Sequence, residues 1–458
     1  MDEFFNAKSI AIVGASTKAG KIGYEIVGSL AETGFEGNIY PIHLKEEPIH
    51  GLKSYKSIGD VPDEVDLAVV VTASSKAPGV IEECGRKGIK AVVIISGGFK
   101  ELNEEGRRLE KETVETARRF GTRIIGPNCV GIFNPRNKID TFFQPHYAMA
   151  RPKPGNIAVL SQSGTYGLTI LEWCFDADLG VSKFVSYGNK ADVSEIEMIR
   201  YLEGDGDTRV IGIYLEGLDD GREFMETAKK VSRAKPIVAL KTGRTSEGSK
   251  AVMSHTGALA GDIAVFEGAM KQCGVISTND ISEMFEVLKI LSLQPLPNGG
   301  KVAMVTNGAG PCIMAIDRMQ KTNLGLARLR DETLEGLRKE LPDYCVFDNP
   351  LDITGSADAE MYRVSIESLI RDGNVDIVMP FFVFQDGPIA HTADRMLEFM
   401  KELSGKKTMV CVAAGSGFTN EQARRFHGVG VPVIETANYA VAALNRIVWY
   451  SDWLRAHR

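Results

Sequence analysis

Short runs of β-branched and other apolar residues alternate along the chain with stretches whose apolar positions recur every three or four residues. That alternation marks parallel strands joined by crossover helices, so the fold class is α/β. Three blocks share it. In the first, SIAIVGA (9–15), NIYPIH (38–43), DLAVVVTA (66–73), AVVIIS (91–96) and RIIGPN (123–128) predict strands. Helices such as KIGYEIVGSLAETG and APGVIEECGRKG fall between them, and a proline-rich stretch, PHYAMARPKPGN, closes the block as a linker. The second block opens with NIAVLSQSGTYG (156–167), runs through KFVSYGN, VIGIYLEG and PIVALKTG, and ends near QPLPNGG (294–300). The third begins with KVAMVTNGAGP (301–311), continues through DIVMPFFVF and TMVCVAAG, and finishes in the helix YAVAALNRIVWYSDWL. Both later blocks open alike, with a strand, a turn of small polar residues and a helix, as two copies of one fold would.

A chain of 458 residues exceeds one compact core, so domains at 1–148, 152–296 and 300–458 are expected. The formal charge of −7 argues against a nucleic-acid partner, since such proteins usually carry a basic excess. Seven cysteines at irregular spacing, with no CxxC pair, argue against a disulfide framework and a zinc site. No metal site is expected in this chain. No apolar run approaches a membrane span, and the acidic start MDEFFNAKSIAIVG lacks the form of a secretory signal. No membrane partner and a cytoplasmic location are therefore expected.

Candidate chemistry begins at the turn after the first strand, VGASTKAGKIGYEIV, where Gly14, Gly20 and Gly23 let backbone approach a ligand. The helix start that follows can receive a phosphate. The spacing is not GxGxxG, and the second strand runs into IYPIHLK rather than into an acid that would accept ribose hydroxyls. His43 and Lys45 suit a ligand with an extra ribose phosphate, and both NADP and coenzyme A fit. Nothing in the block supplies a hydride-transfer site, which favours coenzyme A.

SQSGT (161–165) and NGAG (307–310) each place small side chains and backbone N–H groups at a predicted helix start. Such ends carry roughly half a positive charge and bind anions without Lys or Arg. Aimed at one point they would grip a phosphate, with the Ser163 and Thr165 hydroxyls adding hydrogen bonds. Two unrelated capping turns are the plainer alternative. Within the second block, after the strand PIVALK, runs KTGRTSEGSKAVMSHTGALAGD (241–262), a loop of Gly, Ser and Thr around a lone histidine, His255. With no second His, Cys or acid cluster nearby, it suits carrying a covalent group better than holding a metal. Imidazole is a good nucleophile near neutral pH, so phosphohistidine is the expected chemistry. Glu216, ending the strand VIGIYLEG, is the candidate carboxylate to orient the other ring nitrogen.

At these residues the chain resembles the α subunit of an NDP-forming acyl-CoA synthetase, of the ADP-forming acetyl-CoA synthetase type, in the succinyl-CoA synthetase superfamily. The resemblance covers the whole chain and rests on VGAS…GKIGYEI, ISGGFKE (95–101), GPNCVGIFNP (126–135) and PKPGNIAVLSQSG. SKFVSYGNKADV (182–193), IYLEGLDDGREFM (213–225), the SHTG loop, VTNGAGP and NPLDITG (349–355) complete it. It implies a Rossmann-like CoA-binding domain followed by two flavodoxin-like ligase domains. His255 falls on the phosphorylated histidine and Glu216 on its supporting glutamate. The phosphate-gripping helix starts fall on Ser163, Gly164 and Thr165, and on Asn307, Gly308, Ala309 and Gly310. CoA contacts fall on Gly14, Ala15, Ser16, Lys21, Gly23, Lys45, Thr72, Ser96, Gly97 and Asn128. Inorganic phosphate attacks the acyl-CoA thioester, His255 takes the phosphoryl group from the acyl phosphate, and ADP or GDP receives it, all reversibly.

No ATP-grasp segment is present in these residues, so the resemblance implies a separate ATP-grasp β subunit, in an α2β2 assembly, that holds ADP/ATP or GDP/GTP and Mg. QSGTYG replaces the QSGALG of many relatives, which puts Tyr166 at the acyl pocket, and HLKEEP replaces an Asn-Pro-Lys turn near Lys45. The substrate is expected to be a small, acetate-like carboxylic acid or its acyl-CoA. A catalytically silent CoA- or acyl-CoA-binding regulatory protein is the alternative from another class, with an NADP-dependent oxidoreductase behind it.

Overall fold

The computed structural model describes residues 1–248, 250 and 262–457. Two compact units divide the chain, Met1–Phe175 with Gly180–Cys273, and Asp176–Leu179 with Gly274–Arg458. The first contains two sheets. Strands β1 (Ser9–Val13), β2 (Asn38–Ile42), β3 (Leu67–Val70), β4 (Ala91–Ile94) and β5 (Arg123–Ile125) pair in parallel in the order β2-β1-β3-β4-β5. Helices Ile22–Glu32, Ala77–Lys87 and Glu104–Phe120 make the crossovers. Every residue of β1, β3 and β4 is buried, as expected where helices cover both faces. Each Val or Ile so buried contributes about 1.5–3 kcal/mol. Gly88 and Gly121 close two of the helices in the left-handed conformation, at φ +88° and +67°.

The second sheet of this unit contains β6 (Ile132–Asn134), β7 (Ile139–Asp140), β8 (Pro154–Ser161), β9 (Val181–Ser186), β10 (Val210–Leu215) and β11 (Ile237–Lys241). Within the unit their order is β11-β10-β8-β9-β6-β7, parallel from β11 to β9 and antiparallel beyond. The hairpin β6–β7 precedes the proline-rich stretch, yet it extends the second sheet. Polar contacts fix it there. Asn134 and Asn137 each donate from Nδ2 to the Phe5 carbonyl, at 2.9 and 2.8 Å. The fully buried Asp140 accepts from Arg151 Nε at 2.7 Å and pairs with His146 Nε2 at 3.0 Å.

The second unit is built on β12 (Ile276–Thr278), β13 (Lys301–Thr306), β14 (Gly325–Leu326), β15 (Leu351–Asp352), β16 (Ile377–Phe381), β17 (Thr408–Met409), β18 (Cys411–Val412) and β19 (Val433–Ile434). Its sheet runs β14-β13-β16-β18-β19, with β15 on the end of β13 and β17 on the start of β16. All these pairings are parallel. The closing helix Ala437–Ala456 packs on helix Ile281–Leu293. Three sheets whose helix-linked strands run parallel are the α/β architecture that the apolar alternation predicts. The strands stop short of the predicted ends because the residues beyond them turn: after β1, Gly14 takes φ +94°. Those turns build the site.

Candidate functional site

In the first sheet the strand order reverses between β1 and β3, which opens a crevice at the carboxyl ends of those strands. A Cβ on Gly14 would lie 3.0 Å from Thr72 Cγ2, and one on Gly23 would lie 2.4 Å from the Gly14 carbonyl. The start of helix Ile22–Glu32 is thus pressed against the turn, with Lys21 exposed as its first flanking residue. Ala15 is buried, and Ser16 Oγ accepts from Lys18 N at 3.1 Å. Across the crevice, Thr72 Oγ1 and His43 Nδ1 are buried with no hydrogen-bond partner among the described residues. Buried polar atoms are normally paired, so two orphans at strand ends mark a place for a polar ligand. Lys45 stands exposed in the loop after β2.

The turn after β4 is held by Glu101, which accepts from Gly98 N at 2.5 Å and from Asn189 Nδ2 at 2.6 Å. Asn128, at φ +57°, donates its N–H to the Ser96 carbonyl at 2.9 Å, and a Cβ on Gly97 would sit 3.1 Å from Asn128 Oδ1. Two residues on, Val130 touches the next helix start: a Cβ on Gly164 would lie 2.6 Å from its Cγ1. Ser96, Gly97, Asn128 and Gly164 are therefore neighbours along one edge of this unit.

Helix Gly164–Asp176 follows β8 through Ser161-Gln162-Ser163. Ser161 Oγ donates to the Ser163 carbonyl at 2.6 Å. Gln162 reaches the neighbouring strand end, where its Oε1 accepts from Glu216 N at 2.5 Å and Gly217 N at 3.2 Å. Thr165 and Tyr166 face outward in the first turn, with Tyr166 stacked on Tyr214 at a centroid distance of 5.1 Å. Burial pushes the Tyr214 phenol up to about 12. Glu216 itself is 7 % exposed, and its Oε2 is buried with no partner among the described residues. Lys241, ending β11, donates from Nζ to the carbonyls of Glu216 and Thr242, at 3.2 and 3.0 Å. Burial lowers the Lys241 pKa, Arg244 lowers it further, and Glu216 opposes them. The Tyr187 hydroxyl, wholly buried, is pushed well above its usual value by burial and then by Glu195 and Glu216.

The second unit repeats this turn. Thr306 Oγ1 donates to the Gly308 carbonyl at 2.7 Å, as Ser161 does to Ser163. Asn307 Oδ1 accepts from Val383 N at 2.9 Å beyond the end of β16, as Gln162 does beyond β10. Its Nδ2 donates to Asp386 Oδ2 at 2.9 Å, and Tyr362 OH donates to its Oδ1 at 2.7 Å. The side chain of Asn307 thus serves the scaffold. The Gly308 N–H is spent on Thr306 Oγ1 at 2.9 Å, so what this turn offers an anion is the backbone N–H groups of Ala309 and Gly310, where helix Gly310–Met319 begins.

His255 lies outside the described residues. Ser163, Gly164, Thr165 and Glu216 share the first unit, while Asn307 to Gly310 belong to the second. Gln162 and Lys241 were not singled out by sequence reasoning, although both sit inside quoted motifs, SQSG and LKTG. The signal available was their position, one residue from a predicted strand end. No helix among the described residues is long and apolar enough to cross a membrane.

Two domain families match the chain, the CoA binding domain over residues 8–135 and the succinyl-CoA ligase like flavodoxin domain over residues 154–291. The chain is 40 % identical over 454 residues to the acetate–CoA ligase [ADP-forming] II subunit alpha of Pyrococcus furiosus, covering 98 % of this chain and 97 % of that one. It is 39 % identical to that organism's isoform I subunit alpha, over 100 % of this chain and 99 % of the other. Among solved structures, the dinucleotide forming acetyl-coenzyme A synthetase 1 of Ca. Korarchaeum cryptofilum, in complex with phosphate and ADP, superimposes with a TM-score of 0.91. The identity is 33 %, with 99 % of this chain and 97 % of that chain covered.

Proposed function

The chain belongs to the family of ADP-forming acetate–CoA ligase α subunits, and from that premise we propose that it interconverts acyl-CoA, NDP and phosphate with a carboxylic acid, CoA and NTP. The crevice at the ends of β1 and β3 would take CoA. Gly14 leaves room for a close approach, the helix start at Lys21 and Gly23 would receive a phosphate, and Thr72 Oγ1 and His43 Nδ1 await polar partners. Lys45, in the loop beyond β2, would meet the ribose phosphate. Ser96, Gly97 and Asn128 line the edge that leads from this crevice to Gly164.

In the thioester-consuming direction, a phosphate oxygen attacks the acyl carbon, the C–S bond breaks, and CoA leaves as the thiolate. A ring nitrogen of His255 then attacks phosphorus, and the acid departs as its carboxylate. Finally the N–P bond breaks as the β-phosphate of NDP accepts the phosphoryl group. Each helix start offers N–H groups as fixed donors that neutralise phosphate charge and need no reorganisation. The nucleotide and Mg would be held by an ATP-grasp partner, in an α2β2 assembly within the cytoplasm.

One observation carries this reading. Glu216 presents a buried carboxylate oxygen without a partner among the described residues, on a backbone clamped by Gln162 and by Lys241, where the His255-bearing loop departs. A carboxylate oxygen kept buried and unpaired at that place is a partner in waiting for an imidazole N–H. The test is co-expression with an ATP-grasp subunit and a screen of carboxylic acids for thioester and NDP formation. Turnover dependent on both subunits is expected. Tight CoA binding without turnover on any acid would instead identify a regulatory CoA-binding protein.

A further inference from the structure

Around Glu216 the main chain is held by side chains. Gln162 Oε1, beyond β8, accepts from the N–H groups of Glu216 and Gly217 at 2.5 and 3.2 Å. Lys241, ending β11, donates to the Glu216 carbonyl at 3.2 Å, and Lys190, beyond β9, donates to the Gly217 carbonyl at 2.9 Å. Side chains from three strand ends thus meet every backbone polar group of this dipeptide. Lys190 is itself fixed. It takes φ +44°, a conformation costly for any residue with a Cβ, and its buried ammonium pairs with Glu195 Oε1 at 3.2 Å and Asp219 Oδ2 at 3.1 Å. Its backbone N–H donates to the Tyr187 carbonyl at 2.7 Å, so this clamp and Tyr187 share one turn.

We propose that Tyr187 is a positioning residue of the phosphoryl-transfer site, its hydroxyl donating to the Glu216 carboxylate when the His255 imidazole docks there. The inference rests on the ligase reading above and deepens it by giving the same carboxylate a second support. Tyr187 is wholly buried, and its hydroxyl has no hydrogen-bond partner among the described residues. A phenylalanine would fill that space without leaving a polar group dry, so the hydroxyl calls for a partner. Glu216 Oε2 is the matching orphan, a buried acceptor likewise unpaired among the described residues. Burial, then Glu195 and Glu216, keep the phenol protonated, which makes it a donor. A carboxylate has about four lone-pair sites, so Glu216 can accept from the phenol and from an imidazole N–H together. Two donors fix its plane and favour its charged form. That form holds the proton on one ring nitrogen while the other attacks phosphorus. Being wholly buried, Tyr187 acts through Glu216 and not on the substrate.

The test uses Tyr187→Phe, which removes the hydroxyl alone, and Glu216→Gln, singly and together. In the full chain carrying ¹³Cζ-tyrosine, the Tyr187 resonance is the one missing from Tyr187→Phe, and it should move in Glu216→Gln. In the assembled ligase, Tyr187→Phe should slow phosphoryl transfer to His255 roughly tenfold, as loss of a hydrogen bond to a charged group would. CoA affinity should hold and Tm should not fall, because the hydroxyl makes no bond among the described residues. Added to Glu216→Gln, the same change should slow transfer no further, since Tyr187 acts only through that carboxylate. In a ligase that turns over, an unmoved resonance, an unslowed Tyr187→Phe, or a second tenfold loss on top of Glu216→Gln overturns the proposal and leaves the activity standing. A resonance that moves in a chain that no ATP-grasp partner phosphorylates upholds the hydroxyl–carboxylate pairing and removes the ligase reading.

Discussion

Glu216 shows how a single side chain acquires a role from its surroundings. A carboxylate at a strand end is commonplace; one that is 7 % exposed with an orphaned oxygen, among the described residues, is not. Glu216→Gln should slow phosphoryl transfer to the chain by roughly 10²–10⁴, measured by rapid quench, with CoA affinity unchanged. Lys241 acts one step behind it. Its ammonium binds the Glu216 and Thr242 carbonyls and so joins the carboxylate to the root of the loop. Lys241→Met leaves both carbonyls without their buried donor. A fall of about tenfold in kcat with KM for CoA unmoved is expected, since a strand-end carbonyl loses roughly 1–2 kcal/mol of alignment. Equal losses in kcat and in CoA binding would mark Lys241 as merely structural. The sequence made Glu216 visible because an acid after VIGIYL stands out. It hid Gln162 and Lys241, whose partners lie 54 and 25 residues away.

At the scale of elements, apolar alternation located β1 to β5 and β8 to β11, because a strand buried on both faces must be a continuous apolar run. The hairpin β6–β7 escaped it. IFN and ID are too short to show a period, and side-chain bonds to Phe5 and within the Asp140 cluster hold them in place. Arg151→Ala should cost about 3–5 kcal/mol in chemical denaturation, because Asp140 would be left a buried charge short of its main partner. An effect below 1 kcal/mol would show that His146 suffices. In the second unit, His427 Nδ1 bonds the Ala177 carbonyl at 2.7 Å, and Val433 N donates to its Nε2 at 3.1 Å. These partners fit the neutral ring with its proton on Nδ1. Burial, then the nearby Lys289, depress its pKa to about 4. Between that value and the unfolded value near 6.5 the unfolded chain binds the extra proton, so stability should be full above pH 6.5 and fall as pH drops towards 4. The shift corresponds to about 3 kcal/mol at most. His427→Gln should flatten that part of the stability profile, and an unaltered slope would assign the acid sensitivity elsewhere.

Taken as a whole, the molecule carries one turn built twice, Ser161-Gln162-Ser163 and Thr306-Asn307-Gly308, each with a strand-end hydroxyl bonded two residues ahead and an amide reaching the neighbouring strand end. The repeated openings of the two later blocks foretold the pair. What they could not foretell is that the Asn307 side chain is consumed by Tyr362, Val383 and Asp386, which leaves backbone N–H groups as the anion donors. Ala309→Pro should accordingly abolish phosphate binding while sparing CoA binding, whereas Ala309→Ser should spare both, as read by calorimetry on the full chain. The claim on which everything else depends is that His255 is the phosphoryl carrier. Incubating the full chain with its ATP-grasp partner and γ-labelled ATP should yield an acid-labile, alkali-stable phosphate that is missing in His255→Asn. A label that survives in that variant, or one that resists acid, would contradict the account.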